Sequence, residues 1–158
     1  MKINDKVFGE LEYNYGWVKD STVEFYGKEA EIALMVKGNE DGVFSEKQYS
    51  SYNLLMQNWE QVQQIILPAI LDYYKEKRYE LGYDDEDDKN DENYPVIETT
   101  EQLLEKINLV GICVLRAKSL EGRHIGLTFD CTWDTENGLG ILLIDEKVDE
   151  VGYQDVAI

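Results

Sequence analysis

The stretch Leu109-Val110-Gly111-Ile112-Cys113-Val114-Leu115-Arg116-Ala117 decides the expected fold, because it is almost continuously apolar. Its apolar residues occupy both odd and even positions, which predicts a strand that is covered on both faces. The long helical segment that precedes it in the chain is the natural cover. A strand of this kind next to amphipathic helices is typical of a domain that mixes a sheet with helices.

The residues after this stretch predict further strands. Ser119-Leu120-Glu121-Gly122 has the composition of a turn, and strands follow at Ile125–Trp133, at Leu139–Ile144 and within Val148–Ile158. Because short strands that follow one another through tight turns pair antiparallel, these elements predict antiparallel neighbours.

The N-terminal part predicts three more strands, at Val7–Tyr13, Thr22–Tyr26 and Ala30–Val36. Turns are expected at Asn14-Tyr15-Gly16 and at Gly27-Lys28, where glycine tolerates a positive φ. The third strand alternates apolar residues with a period of two, which is typical of a strand with one buried face.

Helices are predicted between the two sets of strands. Ser45 and Gln48 have the spacing of a capping box, and Thr99 and Gln102 repeat it before a short helix at Glu101–Ile107. The first helix carries apolar and aromatic residues at steps of three and four along one face, namely Tyr49, Tyr52, Leu55, Met56, Trp59, Val62 and Ile66. Such a stripe indicates a helix face that packs into the core.

Pro68 lies within this helical pattern and is expected to interrupt it, and Gly82 is the expected C-cap. The chain of 158 residues is expected to form a single domain, 1–158. The predicted fold class is α+β: a mostly antiparallel sheet, with a long Pro-interrupted helix and a short second helix packed on it.

The charge balance limits the classes of partner. The formal net charge is −18, which argues against binding to nucleic acid or to anionic membranes, because both need clustered Lys and Arg. A basic protein partner is compatible with this charge. The sequence shows no apolar run long enough to span a bilayer and no signal-peptide pattern at its start, so a cytoplasmic location is expected.

One run of acids, opposed only by Lys89, contributes much of this charge: Asp84, Asp85, Glu86, Asp87, Asp88, Asp91 and Glu92. Like charges this dense repel one another, so an exposed, mobile loop is expected over residues 83–95. An EF-hand does not fit, because Asn90 stands where the calcium loop needs glycine.

The residues that most often perform catalysis do not form a complete set. Cys113 and Cys131 lie in apolar strands and are expected to be buried thiols. His124 is the only histidine and falls on the opposite face of its strand from Cys131. No metal site, cofactor or catalytic residue is therefore predicted.

The segment from Phe129 to Gly140 contains a strong turn signal at Asn137-Gly138. A two-residue turn would place Asp130 opposite Asp145, whereas a five-residue loop from Asp134 to Gly138 would place Trp133 opposite Leu139. The longer loop is preferred because it pairs apolar residues instead of like charges.

The longer loop would present Asp134 and Glu136 at one end of the sheet. Two carboxylates there could act as acid and base or hold a metal, or they could cap backbone N–H groups. The candidate binding residues of this region are Trp133, Asp134, Glu136, Asn137, Gln154 and Asp155.

The pattern Cys131-Thr132-Trp133-Asp134-x-Glu136-x-Gly138-Leu139-Gly140, with the later Val151-Gly152-x-Gln154-Asp155-x-Ala157-Ile158, resembles the C-terminal signature of a family of uncharacterised bacterial domains. The resemblance implies no cofactor and no known reaction. Some domains of this kind occur in polymorphic-toxin neighbourhoods, where small acidic proteins serve as immunity partners.

Three hypotheses follow for the function. The first is a cytosolic, non-enzymatic protein-binding domain, with an immunity-type inhibitor of a basic toxin domain as its specific form. The second is a hydrolase or metal-dependent enzyme that uses Asp134 and Glu136, with Asp155 as a further carboxylate. The third is an accessory module whose acidity only keeps it soluble.

Overall fold

A computed structural model of the chain describes residues 1–116 and 121–158. The strands form one sheet in chain order: β1 (Lys2–Asp5), β2 (Gly9–Tyr13), β3 (Trp17–Phe25), β4 (Lys28–Val36), β5 (Ile107–Val114), β6 (His124–Cys131), β7 (Leu139–Ile144) and β8 (Lys147–Gly152). The helices are α1 (Glu46–Gln57), α2 (Trp59–Glu80) and α3 (Thr100–Leu104), and a 3-10 turn spans Gln154–Ala157.

The α+β class and the mostly antiparallel sheet are confirmed. Every neighbouring pair in the described sheet is antiparallel except β4 with β5, which pair parallel from Ala33 opposite Gly111 to Val36 opposite Val114. All three helices lie in the crossover between these two strands. Two antiparallel halves, β1–β4 and β5–β8, therefore meet along one parallel pair.

The described strands differ in extent from the predicted ones. β1 was not predicted, and β3 is longer than the expected Thr22–Tyr26. The strand predicted over Leu109–Ala117 begins earlier and ends at Val114. Ala117, the last residue of this predicted strand, falls outside the described residues. The same holds for Ser119 and Leu120 of the predicted turn.

A bulge in β5 accounts for apolar residues at both odd and even positions. Leu109 pairs with Phe129 while Ile112 pairs with Leu127, so the register shifts at Val110. Leu109 and Ile112 therefore face the same side of the sheet as these two buried partners, although their positions differ in parity. Cys113 points to the other face of the sheet and is buried as well, so the predicted burial of both faces is found at Ile112, Cys113 and Val114.

Both capping boxes are confirmed, with the side chain and backbone hydrogen bonds of each box present at Ser45 and at Thr99. The first helical segment breaks at Asn58 and not at Pro68. The backbone of Asn58 leaves the helical conformation (φ −107°, ψ 18°), and its Nδ2 donates to the carbonyl of Leu54 (2.9 Å), a side-chain bond that competes with the regular helical pattern. Pro68 lies inside α2, so the expected interruption there is not found.

The core lies between one face of the sheet and the helices. Leu55, Val62 and Ile66 of the predicted helical stripe are buried in it, and the aromatic residues of the stripe pack against it. On the opposite face of the sheet, the C-terminal turn Gln154–Ala157 lies against β6 and β7. It approaches so closely that a Cβ on Gly126 would overlap the carbonyl of Ala157.

Candidate binding surfaces

The acidic run is organised by a buried cation that the sequence analysis did not single out. Arg78, in the last turn of α2, is only 4% exposed. Its Nε donates to the carbonyl of Tyr94 (2.7 Å), and its Nη2 donates to the carbonyls of Asp84 (3.0 Å) and Asp88 (2.8 Å). The chain therefore wraps around the guanidinium and turns its carbonyl groups inward. We call residues 84–92 the acidic cap.

Part of the acidic cap uses its carboxylates to hold its own backbone. Asp84 Oδ1 accepts from the backbone N of Glu86 (2.7 Å) and of Asp87 (2.9 Å), and Asp88 Oδ2 accepts from the N of Asp84 (2.7 Å). The hydrogen bonds from Asp87 and Glu86 lower the pKa of Asp84. Asp91 Oδ1 accepts from two further backbone groups in the same way. These three acids are therefore structural.

The other acids of the cap face solvent. Asp85 forms an ion pair with Arg78 at 2.6 Å, yet its side chain is 89% exposed. Glu86, Asp87 and Glu92 are exposed, and within the described part of the chain no hydrogen bond or ion pair is found for their carboxylates. The cap therefore presents a negative surface, with its Asp84 and Asp88 carbonyls hydrogen-bonded to Arg78 and these carboxylates exposed to solvent. The predicted mobility of residues 83–95 stays a prediction.

Stacked aromatic rings support the cap from below. Tyr94 stacks on Tyr83 (centroids 5.0 Å apart) and on Tyr74 (6.0 Å), and Tyr74 contacts Trp133 (4.7 Å). Tyr74 is fully buried, and its hydroxyl donates to the carbonyl of Pro95 at 2.6 Å. Burial raises the pKa of Tyr74. These contacts join the acidic cap to the loop that carries Trp133.

An open cleft of about 770 Å³ lies beside the cap. Tyr79 and Tyr83 contribute aromatic surface to it next to the buried Tyr74, and Tyr79 is 83% exposed. Asp84, Asp85 and Glu86 contribute the acidic side. The cleft thus places aromatic faces next to carboxylates, and both groups can bind a cationic side chain. Lys75, Arg78 and Lys89 also line the cleft, so its charge is mixed.

The connection between β6 and β7 differs from both predicted pairings. Phe129 pairs with Leu139 and Leu127 with Ile141, so Trp133 does not lie opposite Leu139. The end of β6 pairs with β5 instead, through Cys131 opposite Ile107, and Trp133 turns into the core against Tyr74. The predicted five-residue loop would have added cross-strand pairs between β6 and β7. Burial of the large Trp133 ring outweighs those pairs.

The loop from Trp133 to Gly138 uses its first carboxylate internally. Asp134 Oδ1 accepts from the backbone N of Asn137 (3.0 Å), and its Oδ2 accepts from Asn137 Nδ2 (3.0 Å). Glu136 is exposed and extends away from the core. The sequence left two roles open for Asp134 and Glu136, namely chemistry on a substrate or metal and capping of backbone N–H groups. The geometry shows that Asp134 caps the backbone.

The C-terminal turn closes this loop. Gln154 donates from its backbone N to the carbonyl of Asn137 (3.0 Å) and from Nε2 to the carbonyl of Phe129 (2.8 Å). Gly138 leaves room for the Gln154 side chain, which a Cβ at that position would meet. Asp155 is exposed. The structure therefore brings Gln154, Asn137 and Asp134 together, while Trp133 lies on the aromatic stack.

The cysteines and the histidine have the environments of structural residues. Burial raises the pKa of the Cys113 thiol and of the Cys131 thiol to about 11 each, so both stay protonated near neutral pH. His124 lies 3.2 Å through Nε2 from the carbonyl of Glu121.

Metal sites and membrane-spanning helices are not found in the described part of the chain either. Across the residues 1–116 and 121–158, no group of three or more His, Cys, Asp or Glu side chains is placed to hold a metal ion. In the same part of the chain, every helix is too short or too polar to cross a membrane.

The comparison with protein families identifies a match over nearly the whole chain. A family model described as a domain of unknown function (DUF6985) matches residues 7–158. The chain belongs to the DUF6985 family. Membership of this family agrees with the resemblance to uncharacterised domains and names no reaction or partner. No curated protein and no solved structure matches the chain.

Proposed function

We propose that this DUF6985 domain is a non-enzymatic protein-binding domain that holds a basic partner protein on its acidic cap. In its specific form, the proposal is an immunity-type role, in which the partner is a basic toxin domain. The observation that supports it best is the arrangement around Arg78, which fixes the backbone of the cap and leaves Glu86, Asp87 and Glu92 facing outward.

A fixed backbone favours binding for a physical reason. A flexible acidic segment loses conformational entropy when a partner orders it, whereas a preorganised surface loses less. The backbone of the cap is hydrogen-bonded to Arg78 and flanked by the stacked Tyr83 and Tyr94, so the backbone that carries the outward carboxylates is already held in place. The neighbouring tyrosines add surface that suits Lys and Arg side chains.

The alternative enzyme is less well supported by the geometry. It needs free carboxylates that converge on a substrate, yet both oxygens of Asp134 accept hydrogen bonds from Asn137. Capping of this kind is the ordinary use of Asp in turns. The binding proposal uses the acids of the cap that the backbone leaves free.

The test is a pull-down with the whole domain from a lysate of the organism that encodes it, at low and at high salt. A variant with Glu86→Gln, Asp87→Asn and Glu92→Gln removes the outward charges and keeps the structural acids. Since each exposed ion pair contributes roughly 0.2–1 kcal/mol, we expect the three changes to weaken binding about tenfold. The captured protein is then purified, and its affinity is measured by calorimetry.

A matched control removes the same charge elsewhere. Glu12→Gln, Asp20→Asn and Glu150→Gln change exposed acids on β2, β3 and β8. Salt-sensitive capture of one basic protein that the cap variant loses and the control keeps supports the proposal. Equal loss in both variants would mean that only net charge matters, and an empty pull-down at low salt would refute the proposal. Rescue of cells that express the captured protein would support the immunity-type role.

A further inference from the structure

The strands β4 and β5 separate at one end of the sheet. They pair only from Ala33 with Gly111 onward. Residues 28–32 of β4 keep their partners on β3, and residues 107–109 of β5 keep theirs on β6, but within the described residues no strand lies between them. Two strand edges therefore face each other across a gap, and edges of this kind present unpaired backbone N–H and C=O groups.

The bulge in β5 coincides with this separation. Val110 is the extra residue, and the parallel pairing with β4 begins immediately after it, at Gly111. A bulge bends the strand that contains it and disrupts its ladder. The gap is therefore built into the local conformation of β5, next to the parallel pair that joins the two halves of the sheet.

A cleft of about 320 Å³ occupies the gap. On the side of the helices, its wall is apolar and consists of Phe25, Ala30, Leu104, Ile107 and Leu109. On the other side of the strands, Glu29, Glu31 and Asn108 line it and are exposed. Lys28, the one basic residue of the lining, lies on the same face of β4 as Ala30. The cleft thus has an apolar side and an acidic side, separated by two unpaired strand edges.

We propose that this cleft binds an extended segment of a partner protein in which apolar and basic residues alternate, and that the segment adds as a strand between β4 and β5. Successive side chains of a strand point to opposite faces, so its apolar residues would contact the Phe25 wall and its basic residues would lie near Glu29 and Glu31. Backbone hydrogen bonds to the two edges would supply affinity, as in other cases of strand addition. The inference goes beyond the proposed function, because it concerns a different surface and stands even if the acidic cap binds nothing.

The test uses the whole domain and a synthetic peptide, acetyl-Lys-Val-Lys-Val-Lys-amide. NMR measures its affinity, the shifts of the backbone amides and their hydrogen exchange. When the peptide binds, we expect chemical-shift changes and slower hydrogen exchange of the backbone amides at residues 28–32 and 107–110. A block peptide, acetyl-Lys-Lys-Lys-Val-Val-amide, keeps charge and composition but not the alternation, and an N-methylated form of the first peptide lacks main-chain donors. Both are expected to bind at least about tenfold more weakly, because strand addition depends on main-chain hydrogen bonds and on pockets for alternate side chains.

Variants of the domain separate this site from the acidic cap. Glu29→Gln with Glu31→Gln is expected to weaken the alternating peptide about three- to tenfold at low salt, because each exposed charge pair contributes modestly. Glu12→Gln with Glu150→Gln makes the same charge change on β2 and β8 and is expected to leave binding unchanged. The cap variant at Glu86, Asp87 and Glu92 is expected to keep the protection at residues 28–32.

Several results would overturn the inference. Equal affinity for the block or N-methylated peptide would show that strand addition does not occur. Shifts confined to residues 84–92 would assign the peptide to the cap through charge alone. Protection of residues 28–32 that rises with protein concentration, without peptide, would assign these edges to a second copy of the chain.

Discussion

The acidic cap and the 133–138 loop both combine acidic residues with turns, but they are held in different ways. At the cap, a buried guanidinium binds three backbone carbonyls, and the carboxylates of Glu86, Asp87 and Glu92 remain free to face solvent. In the loop, Asp134 is used within the loop and the C-terminal turn closes it through Gln154. A cluster of acids is therefore a candidate surface only for those carboxylates that the local backbone does not use.

Replacing Arg78 tests the cap side of this comparison most strongly. Arg78→Met removes the donors for the carbonyls of Asp84, Asp88 and Tyr94, so we expect a loss of about 3 kcal/mol in the free energy of unfolding. Urea unfolding measures the loss, and hydrogen exchange should show that residues 84–92 become less protected. Arg78→Lys keeps the charge without the fork of donors and should be intermediate. Unchanged exchange in the cap would contradict the organising role of Arg78.

Replacing Gly126 tests how the C-terminal turn holds the other region. Gly126→Ala places a Cβ against the carbonyl of Ala157, and we expect destabilisation of about 2 kcal/mol from overpacking. The same substitution in a chain that ends at Tyr153 is the control, because the overlapping group is then absent. An equal cost in both chains, measured by thermal unfolding, would place the effect within the sheet instead.

Removing one hydrogen bond of the loop should have a smaller effect. Gln154→Ala leaves the carbonyl of Phe129 without the Nε2 donor, which we expect to reduce the unfolding free energy by about 1 kcal/mol. The local consequence should be faster amide exchange at Gly138 and no change in the acidic cap. Faster exchange in both regions would show that the two are coupled through Trp133 and the aromatic stack.

Low pH should destabilise the acidic cap by protonating Asp84. Its pKa is lowered from 3.8 by the backbone hydrogen bonds of Asp87 and Glu86. A carboxyl group with a lowered folded-state pKa stabilises the fold above its unfolded pKa, and the contribution is lost as pH falls below about 4. Asp84→Asn, which can still accept both hydrogen bonds, should reduce the loss of stability between pH 6 and pH 3. Identical pH profiles for both proteins would contradict this role.

The sequence predicted those features that local chemistry determines. The capping boxes at Ser45 and Thr99 are local hydrogen-bond patterns, and the alternation that ends at Val36 follows from one buried face. The α+β class followed from such elements. The first helix ends at Asn58, a residue type that favours helix ends, but this signal in the sequence is weaker than that of the proline at position 68.

Long-range contacts account for what the sequence did not predict. The register of β6 and β7 depends on Trp133 packing against Tyr74, which lies on another element. The role of Arg78 depends on carbonyl groups, and no side-chain pattern marks those. The predicted burial of both faces of β5 is found at Ile112, Cys113 and Val114, but the bulge at Val110 was not predicted, because an inserted residue and a second buried face both put apolar residues at odd and even positions.

The single parallel pair has a consequence for how the chain folds. Within each half of the sheet, neighbouring strands are joined by short connections, whereas Ala33 and Gly111 meet only after the whole helical crossover is in place. Closing a long loop costs entropy before its contacts form, and folding slows as such contacts become more distant in sequence. The two halves are therefore expected to form early and separately, with their junction forming late. Stabilising substitutions at that junction should then act mainly on the rate at which the protein unfolds.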